Sequence, residues 1–366
     1  MGAPTAVEIL GLYLIQGLGA GAIRHLVNKF GQVENIYRAD LDELRKVEGV
    51  SDLVAKRIKA REYLRDPLEE YERLIKKGGR LITYWDPEFP SILKEIKYPP
   101  VCLYVLGNLF FNQIPLVAVV GSRHPSHYGE RVAKSLSRNL ARNGLGIVSG
   151  LAIGIDTCAH EGALSGGGYT VAVLGSGLDR IYPRANEKLF WEIAEKGSVV
   201  SEFPLGTPPD PKNFPIRNRI ISGLSRGVLV VEATKASGSL ITAAMALEEG
   251  REVFAVPGSV ESMKSTGCHY LIRQGAKLVE KAEDILEELS IDVKEPSFAY
   301  KEEHSFETLT EVEKKLLEVV GDTPMHMDEI WRVLELDPGE LGAILIGLEL
   351  KGLIKQLPGK LFVRGK

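Results

Sequence analysis

A series of short apolar segments, each followed by a glycine-rich turn and an amphipathic helical pattern, occupies residues 79–289 of the 366-residue chain. The segments are rich in β-branched residues and show no apolar–polar alternation, which is typical of strands covered on both faces. This feature constrains the fold most, because it predicts an α/β domain with a mostly parallel sheet between two layers of helices. The central strands are predicted at residues 116–120, 146–149, 170–174, 198–201, 228–231 and 252–256, and two segments that extend one edge at 80–84 and 101–105.

The first 75 residues have a different pattern, of short helices separated by glycines. A pattern of an apolar, glycine-containing turn followed by an amphipathic helix occurs twice. It is found first at residues 17–27 and, in a looser form, at residues 47–58. This repeat predicts a helical domain over residues 1–75, built on helical hairpins. The N–H groups of the two turns are able to contact a DNA phosphate. A module that only packs, or contacts proteins, is an equally good interpretation.

The predicted α/β domain spans residues 76–290, and the chain after it predicts a linker and a third, small domain. Residues 291–306 are polar and lack apolar periodicity, which is typical of a linker. Residues 307–366 contain three helical patterns followed by a β-hairpin, which together indicate a winged helix. The helix expected to enter a DNA groove carries Glu340 and Glu349, with only Lys351 as a basic residue. We therefore expect this domain to contact protein rather than DNA.

The composition limits the class of protein without identifying a ligand. A net charge of -4 and a pI near 6.1 do not exclude nucleic acid, because binding depends on the charge of one face. Cys102, Cys158 and Cys268 are widely spaced and form no CxxC pair, so we expect neither disulfides nor a zinc site. The N-terminus lacks a basic-then-apolar leader and the apolar runs are too short to span a membrane. We therefore expect a cytoplasmic protein.

A basic cluster at the start of an otherwise apolar helix, around residues 213–225, is the strongest indication of a binding site. Its charged and amide side chains are Lys212, Arg217, Asn218 and Arg219. The free N–H groups and the dipole of a helix N-terminus already favour an anion there, and guanidinium groups add charge-assisted donors. From residue 203 to 227 Asp210 is the one acidic residue. The neighbouring Phe214 is suited to stacking an unpaired base, and equally to a place in the core.

Several turns follow the predicted parallel strands, so they are expected at the same edge of the sheet. The turn residues that we expect to contact an anion there are Gly121, Ser122, Arg123, Ser149, Gly150, Ser237 and Gly238. The first turn lacks the GxGxxG pattern of dinucleotide-binding folds, and Ser122 and Arg123 suit a phosphate better than a nicotinamide. A structural alternative is that Arg123 pairs with a carboxylate such as Glu232.

Asp156 and His160 lie four residues apart on one predicted helix, which is compatible with an acid–base pair or a metal site. We favour a structural interpretation, because Asp156 lies where a helix start needs a cap and one histidine lacks the further ligands that a metal requires. Neither a GxxxxGK[ST] loop nor a GxSxG elbow occurs in the sequence. We therefore expect no catalytic residue, no metal and no cofactor.

An ordered series of motifs in the α/β region resembles the DNA-processing protein A family, known as DprA or Smf. The motifs are Gly121-Ser122-Arg123 through Tyr128-Gly129, Ser149-Gly150 through Asp156 and His160, Phe214 through Arg219, Glu232-Ala233 through Ser239, and Val256-Pro257-Gly258-Ser259. The resemblance covers almost the whole central domain. In pattern, the flanking regions also resemble that family's sterile-alpha-motif-like N-terminal and winged-helix C-terminal domains.

The resemblance implies an extended Rossmann-like domain that binds and protects single-stranded DNA, forms a homodimer and helps to load the RecA recombinase during natural transformation. It implies a nucleic-acid-binding site made of Gly121, Ser122, Arg123, Ser149, Gly150, Lys212, Phe214, Arg217, Asn218, Arg219, Ser237 and Gly238. A dimer surface is plausible on the helices between about residues 271 and 289.

Two other functions remain open at this stage. The first is an enzyme that hydrolyses a nucleoside-monophosphate-like ligand, as similar Rossmann relatives do, with Glu202 or Glu232 as the candidate carboxylate. Neither glutamate lies in the PGGxGT turn that those enzymes carry, and Pro257-Gly258-Ser259 only partly resembles it. The second is a scaffold whose terminal domains bind proteins and whose central pocket is vestigial, against which the intact arginines argue.

Overall fold

The computed structural model describes residues 5–291, 310–321, 323–334, 336, 338–350 and 353–364. By its internal contacts the chain divides into two units, Met1–Phe298 and Ala299–Lys366. Apart from Ile291, the predicted linker at 291–306 lies outside the described residues.

The described part of the first unit begins with six short helices. They are α1 (Ala6–Tyr13), α2 (Ala20–Phe30), α3 (Val33–Arg38), α4 (Leu41–Arg45), α5 (Asp52–Ala60) and α6 (Pro67–Lys76). The two helices predicted after glycine turns are α2 and α5, and both are confirmed. Gly19 stands at the N-cap of α2, and the Ser51 hydroxyl caps α5 by accepting from the Val54 N–H at 3.3 Å.

A nine-stranded sheet follows within the described residues. Its strands are β1 (Arg80–Thr83), β2 (Cys102–Gly107), β3 (Leu116–Gly121), β4 (Gly146–Ser149), β5 (Thr170–Leu174), β6 (Ser198–Ser201), β7 (Gly227–Val231), β8 (Glu252–Ala255) and β9 (Lys277–Leu278), in the order β1-β2-β6-β5-β4-β3-β7-β8-β9. In this order, the last seven strands, β6, β5, β4, β3, β7, β8 and β9, are parallel to one another. Strand β2 is antiparallel to both of its neighbours, β1 and β6. The predicted α/β class and all eight predicted strands are confirmed.

Helices cover both faces of this sheet. They are α7 (Ser91–Lys94), α8 (His127–Arg142), α9 (Ile155–Ser165), α10 (Glu187–Lys196), α11 (Asn213–Gly223), α12 (Gly238–Glu248), α13 (Thr266–Arg273) and α14 (Ala282–Glu288). Successive strand residues point to opposite faces, so Val119 packs with α8, α9 and α14 while Ala118 packs with α11, α12 and α13. This burial on both faces explains why the strands show no apolar–polar alternation.

The order in which the chain adds strands to the sheet reverses at the boundary between β3 and β7, which are themselves parallel. Strands β3 to β6 advance toward one edge, and the chain then returns to place β7 on the other side of β3. Ligands of such sheets bind outside the carboxyl ends of the strands at this switch point. Gly121 ends β3 there, and a Cβ on it would lie 1.9 Å from the Val231 carbonyl oxygen. A glycine is therefore required for β3 and β7 to approach each other at this position.

The six N-terminal helices share a hydrophobic core with the sheet. Ile9, Ile23 and Ile58 belong to the same buried cluster as Tyr104 of β2 and Phe190 of α10. The helical region and the sheet are therefore packed together, although nothing in the sequence pattern predicted this. The domain boundaries given above stay predictions.

The second unit has the predicted arrangement of three helices and a hairpin, consistent with a winged helix. Its elements are α15 (Glu311–Val319), β10 (Met325–His326), α16 (Met327–Leu334), α17 (Pro338–Leu350), β11 (Ile354–Leu357) and β12 (Leu361–Arg364). Strand β10 was not predicted and pairs with β12 beside the hairpin, and Leu316, Leu345 and Phe362 lie in the core. Among the described residues, no helix combines the length and apolar character needed to cross a membrane.

Two substitutions on α5 test the shared core. Ile58 is fully buried, so Ile58→Ala should lower the free energy of unfolding by about 2–5 kcal/mol through lost contacts and a cavity. Leu53 on the same helix is 57% exposed, and Leu53→Ala should change it by less than about 0.5 kcal/mol. Urea denaturation followed by circular dichroism measures both values, and equal losses would contradict the described packing of α5.

Candidate nucleic-acid interface

A cleft opens at the carboxyl ends of β3, β4 and β5, beside the start of α11. Its lining residues are Arg123, Gly150, Ala152, Ile153, Gly175, Ser176, Tyr182, Pro183, Phe214 and Arg217. The loops after three parallel strands supply most of them, and the first two turns of α11 supply Phe214 and Arg217. The fold therefore brings together residues that are separated by up to 94 positions in the sequence.

Phe214 lies between cationic and aromatic side chains. The guanidinium carbons of Arg123 and Arg217 are 5.5 and 5.8 Å from the centroid of its ring, within the range of cation–π attraction. The Tyr182 ring lies 6.0 Å away at an interplanar angle of 35°. Phe214 approaches the loop after β5 so closely that a Cβ on Gly175 would lie 2.8 Å from its ring. Phe214 is thus half-buried at the cleft surface, rather than a core residue.

Arg217 is a buried cation in the wall of the cleft, only 4% exposed. Its Nη1 donates to the Val173 carbonyl oxygen near the end of β5, at 2.6 Å. The pKa of Arg217 is lowered to about 10, chiefly by burial; the charge of Asp156 opposes this effect and the charge of Arg123 adds to it. The guanidinium therefore remains charged at neutral pH. It lies against the backbone at Gly150, where a Cβ would be 1.8 Å from Nη1.

Asp156 organises the loop after β4 and partly compensates the charge of Arg217. Its Oδ2 accepts from the backbone N–H groups of Gly150 and Ala152, at 3.0 and 3.3 Å. Burial raises the pKa of Asp156, and the nearby charge of Arg217 lowers it. The expectation that Asp156 caps its helix is wrong, because Gly154 stands at the N-cap of α9 and Asp156 lies within the first turn. Its carboxylate holds the preceding loop instead.

His160 is a neutral core histidine beneath the same loop. It is fully buried, and its Nδ1 is 2.8 Å from the Thr170 hydroxyl oxygen. Burial, and secondarily the charge of Arg217, lowers the pKa of His160 to about 3. Among the described residues no three side chains of His, Cys, Asp or Glu are grouped so that they could hold a metal ion. The structural interpretation of Asp156 and His160 is therefore favoured over a metal site.

Four of the twelve predicted site residues meet in the cleft: Arg123, Gly150, Phe214 and Arg217. Gly121 and Ser122 belong to the same turn as Arg123 and support it, since the Ser122 hydroxyl accepts from the His124 N–H at 3.1 Å. Ser149 is buried, and its hydroxyl donates to the Val119 carbonyl oxygen at 2.7 Å. Gly150 offers the cleft its backbone, but its N–H already donates to Asp156.

Arg219 does not join Arg217. Two residues along a helix correspond to a rotation of about 200°, so the two side chains leave α11 on opposite sides. Arg219 pairs with the Glu202 carboxylate and donates from Nη1 to the Tyr98 carbonyl oxygen at 2.7 Å. Lys212 is exposed just before α11 and Asn218 is half-buried on it, and neither lines the cleft.

The remaining two predicted residues, Ser237 and Gly238, lie at the start of α12 after β7. They share the carboxyl edge of the sheet but stand on the other side of β3, outside the cleft lining. The Ser237 hydroxyl accepts from the Thr234 N–H at 2.9 Å, which fixes the turn before α12. Gly238 is exposed.

The alternative pairing of Arg123 with Glu232 is wrong. Glu232 accepts from both the backbone N–H and the hydroxyl of Ser126, the residue at the N-cap of α8. The Glu232 carboxylate thereby stabilises the start of α8, because a negative charge interacts favourably with the N-terminal end of a helix dipole. Neither Glu232 nor Glu202, the other candidate carboxylate, lines the cleft.

Six of the ten lining residues were not among the predicted site residues: Ala152, Ile153, Gly175, Ser176, Tyr182 and Pro183. Ile153 is 38% and Tyr182 46% exposed, so both present apolar surface to solvent. A signal existed for Tyr182, because an aromatic residue in a polar loop after a parallel strand is placed at the same edge as the other turns.

The matches to known proteins extend over nearly the whole chain. The family model described as "DNA recombination-mediator protein A" matches residues 80–290, and the one described as "DprA winged helix domain" matches residues 301–360. Protein Smf of Synechocystis sp. is 37% identical, with 96% of both chains covered.

Two solved structures of DNA processing protein A are also similar. The one from Streptococcus pneumoniae has a TM-score of 0.69 at 41% identity and covers 78% of this chain and 98% of its own. The one from Helicobacter pylori, described for its single-stranded DNA binding mode, has a TM-score of 0.53 at 32% identity and covers 58% of this chain and 96% of its own.

The pH dependence of stability tests the burial of His160. Its pKa of about 3 in the folded state lies below the ordinary 6.5, so the unfolded state binds a proton more readily between these values. Above pH 6.5 the neutral ring makes its full contribution to the free energy of unfolding. This contribution is lost as the pH falls toward 3. From about pH 7 to about pH 5, the wild type should lose about 2 kcal/mol more unfolding free energy than His160→Gln. Urea denaturation at each pH measures the difference, and equal losses would contradict a buried neutral ring.

Proposed function

This chain belongs to the DNA-processing protein A (DprA/Smf) family, and from that premise we propose that it binds and protects single-stranded DNA in the cleft beside α11. The observation that carries the proposal is the placement of Phe214 within 6 Å of two guanidinium groups, those of Arg123 and Arg217. Transfer of the bound strand to the RecA recombinase, in recombination and natural transformation, is part of the same proposal and rests on family membership.

The chemistry of the cleft suits a single strand better than a duplex. An unpaired base has a free face that can stack on Phe214 or Tyr182, and every base has such a face, so binding is largely independent of sequence. The exposed Arg123 is placed to contact the adjacent phosphate, and the buried charge of Arg217 adds to the positive potential. Lys212, exposed just before α11, is proposed to contact the phosphate backbone outside the cleft.

Binding without catalysis is the favoured mode of action. Among the described lining residues there is no carboxylate, histidine or cysteine that would act as an acid, base or nucleophile. The two carboxylates considered for hydrolysis have structural partners: Glu202 is paired with Arg219 and Glu232 with Ser126. These contacts give the nucleotide hydrolase alternative no support.

We also propose that the protein forms a homodimer through the edge of the sheet at β9. The surface expected between residues 271 and 289 is largely core, since Leu271, Ile285 and Leu286 are buried. The apolar side chains that are exposed there are Leu278 of β9, at 42%, and Tyr270 of α13, the helix before β9, at 45%. An edge strand flanked by exposed apolar side chains is a surface suited to a second copy.

The affinity for labelled oligo-thymidine, measured by fluorescence anisotropy over a salt series, tests the binding proposal. Phe214→Ala should weaken the free energy of DNA binding by about 1–3 kcal/mol, which is the usual contribution of one stacked base. Arg123→Ala should weaken binding about tenfold and reduce the slope of log affinity against log salt by about 0.7, because one phosphate contact is lost.

Arg226→Ala is the matched control. Arg226 is exposed and lies just before β7, at the amino ends of the parallel strands and therefore at the far end of the strands from the cleft. Its N–H donates there to the Leu116 carbonyl oxygen at 2.8 Å. Its removal should leave the affinity unchanged within about twofold. Equal affinities for the wild type and both cleft variants would reject the cleft as the binding site, and absence of binding by the wild type would reject the function.

A further inference from the structure

The loop between β6 and α11, residues 202–212, is held by side chains of the N-terminal helical region. The Leu205 N–H donates to Glu70 Oε1 at 2.7 Å, and Nη1 of Arg65 donates to the Leu205 carbonyl oxygen. Glu70 lies on α6, and Arg65 immediately precedes that helix. Both backbone polar groups of Leu205 are therefore bound by residues 135 and 140 positions earlier in the chain.

Glu70 is a buried carboxylate whose partners come from three parts of the molecule. It is 1% exposed, and besides the loop N–H it accepts from the Tyr104 hydroxyl and from Arg65, both at 3.3 Å. Arg73 is 3.7 Å away and compensates the same charge. Such a group is stable only while its partners stay in place, so it fixes the loop relative to the sheet and to α6.

The loop leads directly into the part of α11 that forms the cleft. The first residue of α11 is Asn213, which donates from Nδ2 to the Gly175 carbonyl oxygen at 3.0 Å. Phe214 is the next residue of the helix. The start of the loop is also held from the helical region, because the Tyr13 hydroxyl donates to the Glu202 carbonyl oxygen at 2.9 Å. Since the Glu202 carboxylate pairs with Arg219 of α11, the helical region is linked to both the loop and the helix.

We propose that Glu70 and Arg65 are positioning residues for the cleft, through which the N-terminal helical region sets the place of Phe214. The inference rests on the proposed function, since its consequence is a change in affinity for single-stranded DNA. It gives the helical region a role that needs no contact between its glycine turns and DNA. Displacement of the loop moves the start of α11, and Phe214 with it, away from Arg123 and Tyr182, and the stacking surface is lost.

A double-mutant cycle between Glu70 and Phe214 tests this inference. Glu70→Ala should weaken oligo-thymidine binding about tenfold in the wild type, but less than about threefold in the Phe214→Ala background, because the contact that it positions is already gone. Glu70→Gln keeps an acceptor for the Leu205 N–H and should recover part of the affinity. A merely structural role would give the same loss in both backgrounds and no recovery.

Two further variants complete the design. Ile58→Ala destabilises the same helical region at an apolar side chain that makes no hydrogen bond to the loop, and should leave the affinity unchanged at temperatures well below the unfolding temperature of the variant. Arg65→Met removes the donor to Leu205 from a partly exposed side chain, so it tests the inference even if Glu70→Ala does not fold, and should weaken binding. Wild-type affinity in both Glu70→Gln and Arg65→Met, or additive losses in the cycle, would overturn the inference while the function stands. A wild type that does not bind would instead reject the proposed function.

Discussion

The buried charge of Arg217 is the constraint on which the cleft depends. A guanidinium removed from water needs an opposite charge and hydrogen-bond acceptors, and a buried charge left wholly uncompensated costs several kcal/mol. For Arg217 the compensation is partial, because its buried Nε has no hydrogen-bond partner among the described residues. The Val173 carbonyl oxygen supplies one acceptor and Asp156 the opposite charge. The close approach of the guanidinium to the loop after β4 in turn requires a residue without a Cβ at position 150. Gly150, Asp156 and Arg217 therefore form one structural unit.

The same unit explains how a chain of net charge -4 presents a positive site. The charge of Arg219 on α11 is neutralised by Glu202. The other arginine of that helix, Arg217, contacts the ring of Phe214, and Arg123 contacts the same ring. Glu202 and Glu232 have structural partners outside the cleft lining, and the Asp156 carboxylate is occupied by backbone N–H groups of the loop after β4. The cleft thus combines cationic donors with an aromatic surface, which suits binding of a strand rather than chemistry on it.

Much of the fold follows from the sequence, because unbroken β-branched segments and glycine turns are local signals. Strand β9 was missed because its two residues, Lys277 and Leu278, are both exposed and carry no apolar pattern. The opposite directions of Arg217 and Arg219 were predictable from helix geometry alone. The burial of Arg217 was not, since it depends on a carbonyl group 44 residues away on β5. The attachment of Glu70 to Leu205, across 135 residues, was equally beyond a local pattern.

Amide hydrogen exchange of the full chain with and without oligo-thymidine tests most directly where the strand binds. We expect slower exchange on binding in the turns at 122–128, 150–155 and 175–183 and in the first turns of α11, because a bound strand covers the carboxyl edge of β3 to β5. Exchange in the glycine turns at 17–19 and 47–51 should not change. Protection of those N-terminal turns, with none around Phe214 and Arg217, would place the DNA on the helical region and rule out the cleft as its binding site.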